Sequence, residues 1–243
     1  MAHRGGAEWA PNLGKENTLA AFRQVAGLGY RYIETDLQVT RDGQLVCLHD
    51  LDLARLTGEP GRVADRTYRE LTRLRVGGEP IPRLADVLDD LPGVRFNVDL
   101  KTPGTAEALA ALLRSNPAHD RLLVASFSAR RLARFRRLTT GTVATGMATL
   151  GVVSTLLVPG VWWRTPGEAV QSPVSSRVGP VTIHAITATT VARAHRRGRV
   201  VHVWTIDDPA EMETLIDLGV DGIVTDRPDV LKDVLERRGL WDA

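Results

Sequence analysis

Cysteine is nearly missing from this chain. Its single thiol, Cys47, excludes an internal disulfide, so nothing calls for an oxidising compartment and a cytoplasmic setting is expected. A dominant sign of charge is missing too. The formal net charge is +2, and the arginines fall on helix faces rather than in one basic tract with interleaved aromatics, which argues against nucleic acid as a partner. No apolar run reaches the roughly 20 residues of a membrane span. The nearest approach, 147–163, is broken by Gly151, Ser154, Pro159 and Gly160; it reads as core or pocket wall, with a rim for peripheral lipid contact as the alternative. Met1-Ala2-His3-Arg4 carries no apolar leader, and a functional His3 would forbid cleavage there. Internal repeats, low-complexity tracts and a Pro/Gly/Ser-rich linker are absent as well. With 243 residues, 43% hydrophobic, the chain is expected to form one domain, 1–243, around one core. Its oligomeric state is not legible from the sequence.

What is present is alternation. Short β-branched runs at 1–3, 31–36, 95–101, 122–126, 142–147, 169–173, 200–206 and 222–225 are separated by helical patterns, the signature of repeated βα units. Eight such units make the expected fold class α/β, a single (β/α)8 barrel. Helix punctuation agrees. Asp208-Pro209-Ala210-Glu211 supplies an N-cap, a first-turn proline and a capping-box glutamate, with Gly219 as the stop. Pro228 opens a last helix that Gly239 closes, and 187–197 runs to Gly198. The alternation breaks after the second strand, where Asp42-Gly43 predicts a two-residue hairpin. That register pairs Arg41 with Gln44 and sets Asp36 opposite His49. A longer irregular and helical insertion, about 51–92, follows, ending in a helix around Leu84, Val87, Leu88 and Leu91.

The chemistry-bearing residues lie at predicted strand ends. Glu34 and Asp36 sit two apart on one strand and Asn97, Asp99 and Lys101 form a matching column on the next. Three carboxylates at one barrel mouth are costly without a cation, and an oxygen donor set without cysteine suits Mg²⁺ or Ca²⁺ better than zinc. A pair of surface acids with an Asp99 to Lys101 contact is the plainer alternative. His3, beside Arg4, and His49, before Asp50, end two of the predicted strands. Phosphodiester hydrolysis needs a base, an acid and positive charge on the non-bridging oxygens; two imidazoles, a metal, Arg4 and Lys101 supply them. His202 reads as a packed histidine below Trp204, while His119, His184 and His195 have no supporting context.

His3-Arg4-Gly5-Gly6, Glu16-Asn17-Thr18, Glu34-Thr35-Asp36, Thr40-Arg41-Asp42-Gly43, His49-Asp50, Asp99-Leu100-Lys101, Val203-Trp204-Thr205 and Thr225-Asp226-Arg227-Pro228 together resemble, in order and across nearly the whole chain, the glycerophosphodiester phosphodiesterases. The resemblance implies a barrel hydrolase that binds Ca²⁺ or Mg²⁺ and splits glycerophosphodiesters, small-molecule substrates, into an alcohol and sn-glycerol 3-phosphate. It implies acid/base work for His3 and His49, metal binding for Glu34, Asp36 and Asp99, and phosphate binding for Arg4 and Lys101. Asn17 would lie near substrate, or simply cap the helix that follows; Trp204 would wall the pocket. Asp226 is assigned to structure, as a cap for the final helix. Two positions depart from the family pattern: Asp99 stands where glutamate is usual, and only Met1 and Ala2 precede the His-Arg-Gly motif. Lysophospholipid hydrolysis, suggested by 147–163, and a catalytically silent phosphate-binding barrel are the competing readings.

Overall fold

The computed structural model describes residues 1–157, 166–178 and 181–241. Its strands link into a ring of parallel staves. Strand β1 (Tyr32–Val39) pairs with β5 (Arg95–Leu100), β5 with β6 (Leu122–Ala125), and β6 with β7 (Ala144–Thr145). A parallel bridge from Gly146 to Ala169 leads on to β8 (Ala169–Ser172). Strand β8 pairs with β11 (Val200–Val203), and β11 with β12 (Gly222–Ile223). Ala2 closes the ring through parallel bridges to Thr225 on one side and Ile33 on the other. Each of the eight expected strands is therefore a stave, the first reduced to one bridging residue. On its C-terminal side it ends at once, because Arg4, Gly5 and Gly6 follow with φ of 51°, 82° and 79°, which turns the chain out of the extended path.

Helices return the chain between successive staves: α1 (Leu19–Gly27), α4 (Leu84–Asp90), α5 (Thr105–Ser115), α6 (Ala129–Leu138), α7 (Thr149–Leu157), α8 (Ala188–Arg196), α9 (Pro209–Asp217) and α10 (Pro228–Arg237). Asp208 accepts from the Glu211 amide to cap α9, as expected, and Thr187 caps α8 in the same way. Gly198, Gly219 and Gly239 lie just past the helix ends with positive φ, the conformation glycine adopts without a Cβ clash. On β1 the outward Ile33 and Leu37 are fully buried, packed in the main core with Phe22 of α1. Phe22 meets Phe96 of β5 edge to face, with centroids 5.9 Å apart. The inward side chains of the same strand, Glu34, Asp36 and Gln38, are also buried. A strand buried on both faces with acids on one of them puts polar chemistry inside the barrel.

The hairpin after β1 differs from expectation by one residue. Strand β2 (Leu45–Cys47) pairs antiparallel with Leu37 opposite Cys47, and the Thr40 amide donates to Gln44 O at 2.9 Å. The loop thus has three residues, 41–43, with Gly43 at φ 82° in the left-handed position such a loop needs. Thr40 Oγ1 stabilises the extra residue by donating to Asp42 and accepting from the Gln44 amide. Asp36 consequently lies opposite Leu48, whose amide donates to Asp36 O, and His49 is not its cross-strand partner.

The insertion contains α2 (Ala54–Thr57), α3 (Tyr68–Leu71), β3 (Arg75–Val76) and β4 (Glu79–Pro80). It builds a small core of its own from Leu53, Val63, Leu71, Val76 and Ile81 against Val46 and Leu48. Helix α4, expected as the end of the insertion, belongs to the barrel instead: Leu84, Val87 and Leu88 pack in the main core. An unexpected antiparallel pair, β9 (Ser175–Val178) with β10 (Val181–His184), lies between β8 and α8. Of the apolar stretch 147–163, the first part forms α7, while 158–163 lies outside the described residues. Among the described residues no helix is long and apolar enough to cross a membrane.

Candidate active site

The parallel register of β1 and β5 sets Glu34 beside Asn97 and Asp36 beside Asp99. All four face the C-terminal end of the barrel, where a cavity of about 570 Å³ opens. His3, Arg4, Glu34, Asp36, His49, Asp99, Lys101 and Trp204 line it. Although His49 lost its expected register, it still arrives: the chain leaves the sheet after Leu48, and the Gln38 side-chain amide holds that exit by donating to Leu48 O and Asp50 O. Asn17 stands behind the wall. It is buried at φ 59°, donates from Nδ2 to Asp36 Oδ2 at 3.0 Å and accepts from Thr35 Oγ1 at 2.7 Å. Capping of α1 falls to Thr18, which accepts from the Ala21 amide, not to Asn17.

Both imidazoles are held from behind. His3 Nδ1 lies 2.9 Å from Asp226 Oδ1, and His49 Nδ1 lies 2.7 Å from Asp50 Oδ1. A carboxylate only accepts, so each Nδ1 carries the hydrogen and each Nε2 is the free ring nitrogen. His3 Nε2 is 3.8 Å from Glu34 Oε2. Burial alone would lower the His3 pKa, but the hydrogen bond to Asp226 and the nearby Glu34 outweigh it and raise the value. Asp226 is therefore not the cap of α10. The N-cap there is Arg227, which makes no side-chain cap bond. Barrel closure explains the difference: the His3 amide donates to Thr225 O at 2.7 Å, which brings the next residue, Asp226, against the imidazole. Asp207 fixes that turn by accepting from Thr225 Oγ1 and the Asp226 amide, both at 2.8 Å.

The acids differ sharply in charge state. Burial, reinforced by Asp36, pushes the Glu34 carboxyl up to about 8. Burial works the same way on Asp36, yet Lys101 and Arg4 outweigh it and hold that carboxyl below its usual value. Asp99 is raised, burial outweighing Lys101. Lys101 Nζ bridges Asp36 Oδ1 and Asp99 Oδ2, each at 2.9 Å, and Arg4 Nε lies 3.4 Å from Asp36 Oδ2. Among the described residues no three of His, Cys, Asp and Glu form a preassembled ligand cluster. The donor set nevertheless fits a hard divalent cation: Asp99 Oδ1 and Asn97 Oδ1 are buried without a hydrogen-bond partner, and burial raises Glu34 despite the neighbouring His3, so a cation would favour its charged form.

Trp204 walls the cavity with Phe127, their rings edge to face at 6.0 Å. Met147, Val152, Val153 and Leu156 extend this apolar side. His202 is a packed histidine: it lies below the site, and burial lowers its pKa to about 4. His195, for which the sequence offered no context, pairs with Asp221 at 2.8 Å on the surface. Sequence reasoning gave no role to Asp50, Glu16 or Arg55 and the wrong one to Asp226. The adjacency of His49 and Asp50 was a visible signal for the first; the others depend on contacts between segments far apart in the chain.

A parallel (β/α)8 ring with imidazoles, acids and two cations gathered at the C-terminal ends of its staves has the arrangement of a barrel enzyme, whose site stands at that end. Residues 3–230 match the Glycerophosphoryl diester phosphodiesterase family, and the chain belongs to it, as an enzyme of the phosphoric diester hydrolase class rather than a silent barrel. A Mycobacterium tuberculosis protein named Probable glycerophosphodiester phosphodiesterase 2 is 40% identical over 249 residues, covering 100% of this chain and 92% of that one. A solved glycerophosphodiester phosphodiesterase from Agrobacterium tumefaciens superposes with a TM-score of 0.79 at 26% identity, covering 97% of each chain. A phosphodiesterase from Oleispira antarctica, solved in complex with the product sn-glycerol-3-phosphate, shares the fold at a TM-score of 0.79 and 23% identity, covering 97% of this chain and 95% of that one.

Proposed function

We propose that this chain hydrolyses glycerophosphodiesters to an alcohol and sn-glycerol 3-phosphate with His3 and His49 as the acid/base pair. The observation that carries the reading is the shared cavity in which two carboxylate-backed imidazoles face Arg4 and Lys101. Arg4 and Lys101 hold the phosphate as a charge pair. One imidazole, neutral, takes at Nε2 the proton of the attacking hydroxyl or water, while the other starts as the imidazolium and gives its Nε2 proton to the departing alkoxide oxygen. Asp226 and Asp50 keep both rings in the tautomer that leaves Nε2 available. Asn17 fixes Asp36 near the substrate, and Trp204 shields the cavity from water. Glu34, Asp36 and Asp99 would hold Mg²⁺ or Ca²⁺, which when bound supplies positive charge to the non-bridging oxygens. Residues 1–243 act as one barrel domain in the cytoplasm, where the buried Cys47 stays reduced.

The test is a coupled assay for released glycerol 3-phosphate with glycerophosphocholine and glycerophosphoethanolamine. Turnover that stops with EDTA and returns with Mg²⁺ or Ca²⁺ is expected. No release from any diester under either cation would end the reading. A second reading, lysophospholipid hydrolysis, has one observation in its favour: the lining residues Phe127 and Val153 are 68% and 43% exposed, an apolar flank larger than a glycerol group needs. Comparing lysophosphatidylcholine with glycerophosphocholine decides between them, the higher kcat/KM naming the substrate.

A further inference from the structure

Leu53, fully buried in the small core of the insertion, anchors the start of α2 there, and Arg55 two residues on sends its side chain back to the barrel mouth. Its guanidinium lies between two carboxylates. Nη1 and Nη2 donate to Glu16 Oε2 and Oε1 at 2.9 and 2.8 Å, while Nη2 also donates to Asp50 Oδ1 at 2.9 Å and Nε to Asp50 Oδ2. Each partner leads to the site. Asp50 accepts from His49 Nδ1, and Glu16 accepts from Arg4 Nη1 at 3.2 Å. One unbroken chain of charged hydrogen bonds therefore runs from His49 through Asp50, Arg55 and Glu16 to Arg4.

We propose that Arg55 is a positioning residue for the reaction: it locks the Asp50 carboxylate behind His49 and the Glu16 carboxylate beside Arg4, fixing imidazole and phosphate-binding guanidinium relative to each other. The inference rests on the acid/base role proposed for His49. Its physical basis is geometric. Asp50 adjoins His49 on an irregular segment and is partly exposed, so one hydrogen bond to the ring leaves it free to swing into solvent. A planar fork engaged on two edges by two carboxylates removes that freedom, which a lysine, with one ammonium, cannot do. The same contact holds the Asp50 carboxyl down at about 2. Arg4 has a parallel need for restraint, because its backbone sits at φ 51° and its direction depends on the contacts that hold it.

Arg55→Ala and Arg55→Lys in the full chain, with His49→Ala as control, test this on glycerophosphocholine. In Arg55→Ala, kcat falls about 10-fold or more while KM stays within about threefold, because orientation rather than binding is lost. Guanidinium ion at non-denaturing concentration restores part of the kcat of Arg55→Ala, does nothing for His49→Ala, and Arg55→Lys stays impaired. Independently of turnover, the His49 Nδ1–H resonance seen by NMR in the wild type broadens or disappears in both Arg55 variants. A kcat within about twofold of wild type in either variant, or an unchanged His49 resonance, overturns the proposal. Wild-type protein inactive on every diester would instead refute the function reading, while active wild type with active Arg55→Ala refutes only this one.

Discussion

His3 and His49 are partly exposed side chains whose usefulness depends on what stands behind each ring. Replacing either by alanine is expected to lower turnover by about 100-fold or more, measured as released glycerol 3-phosphate. The double variant retaining full activity would remove the acid/base assignment. Asp226→Ala tests the backing group: with the 2.9 Å contact to His3 gone, the ring is free to turn and to change tautomer, and kcat should drop by about 10-fold or more. An unchanged kcat would return Asp226 to a structural role. At this scale the sequence was informative where chemistry is local. Two-residue spacing put Glu34 and Asp36 on one face of a strand and Asn97, Asp99 and Lys101 in a column on another; the structure pairs those strands and sets Asp36 beside Asp99. It failed where a partner comes from far away, as Asp226 does across 223 residues.

Among elements, the hairpin shows how one residue of loop changes the outcome. The Asp42-Gly43 pair favours a two-residue turn, but the Thr40 hydroxyl, Asp42 carboxylate and Gln44 amide stabilise a three-residue one, and the register moves by one. A Cβ at Gly43 would point into open space, so only its φ of 82° sets the position apart from others in the loop. Gly43→Ala should therefore cost about 1 kcal/mol of unfolding free energy, read from a chemical denaturation midpoint, without packing damage. Strand β11 gives a pH prediction. Burial takes His202 from 6.5 to about 4, so the unfolded chain binds its proton first. Stability is then full above about 6.5 and is lost as pH falls toward 4, by up to about 3 kcal/mol. His202→Gln should flatten that part of the stability profile; an identical slope in the variant would show that His202 does not govern it.

For the whole molecule, the ring of staves turns distant motifs into one site, so core integrity and activity are linked. Phe22→Ala removes a fully buried ring packed on Phe96 and should cost about 3–5 kcal/mol in denaturant unfolding. Periodicity and punctuation made the eight staves and the helices α8, α9 and α10 legible, because alternating burial and capping chemistry are written in neighbouring residues. Two boundaries were not legible from the same signals. Helix α4 has the pattern of a barrel helix but follows an irregular segment, so only its packing on the main core separates it from the insertion. The β9 and β10 pair is short, and its cross-strand register is settled by pairing rather than by pattern.

By itself the sequence determined the repeating βα order, the family to which the chain belongs and the kinds of side chain available for chemistry, since each is carried by residue type and spacing. Tertiary structure alone decided that Asp226 backs His3, that Lys101 reaches Asp36 as well as Asp99, and that Arg55 ties the insertion to the barrel mouth. Those contacts join residues whose separation along the chain carries no signal, and they exist because closing the ring fixes where every loop must stand.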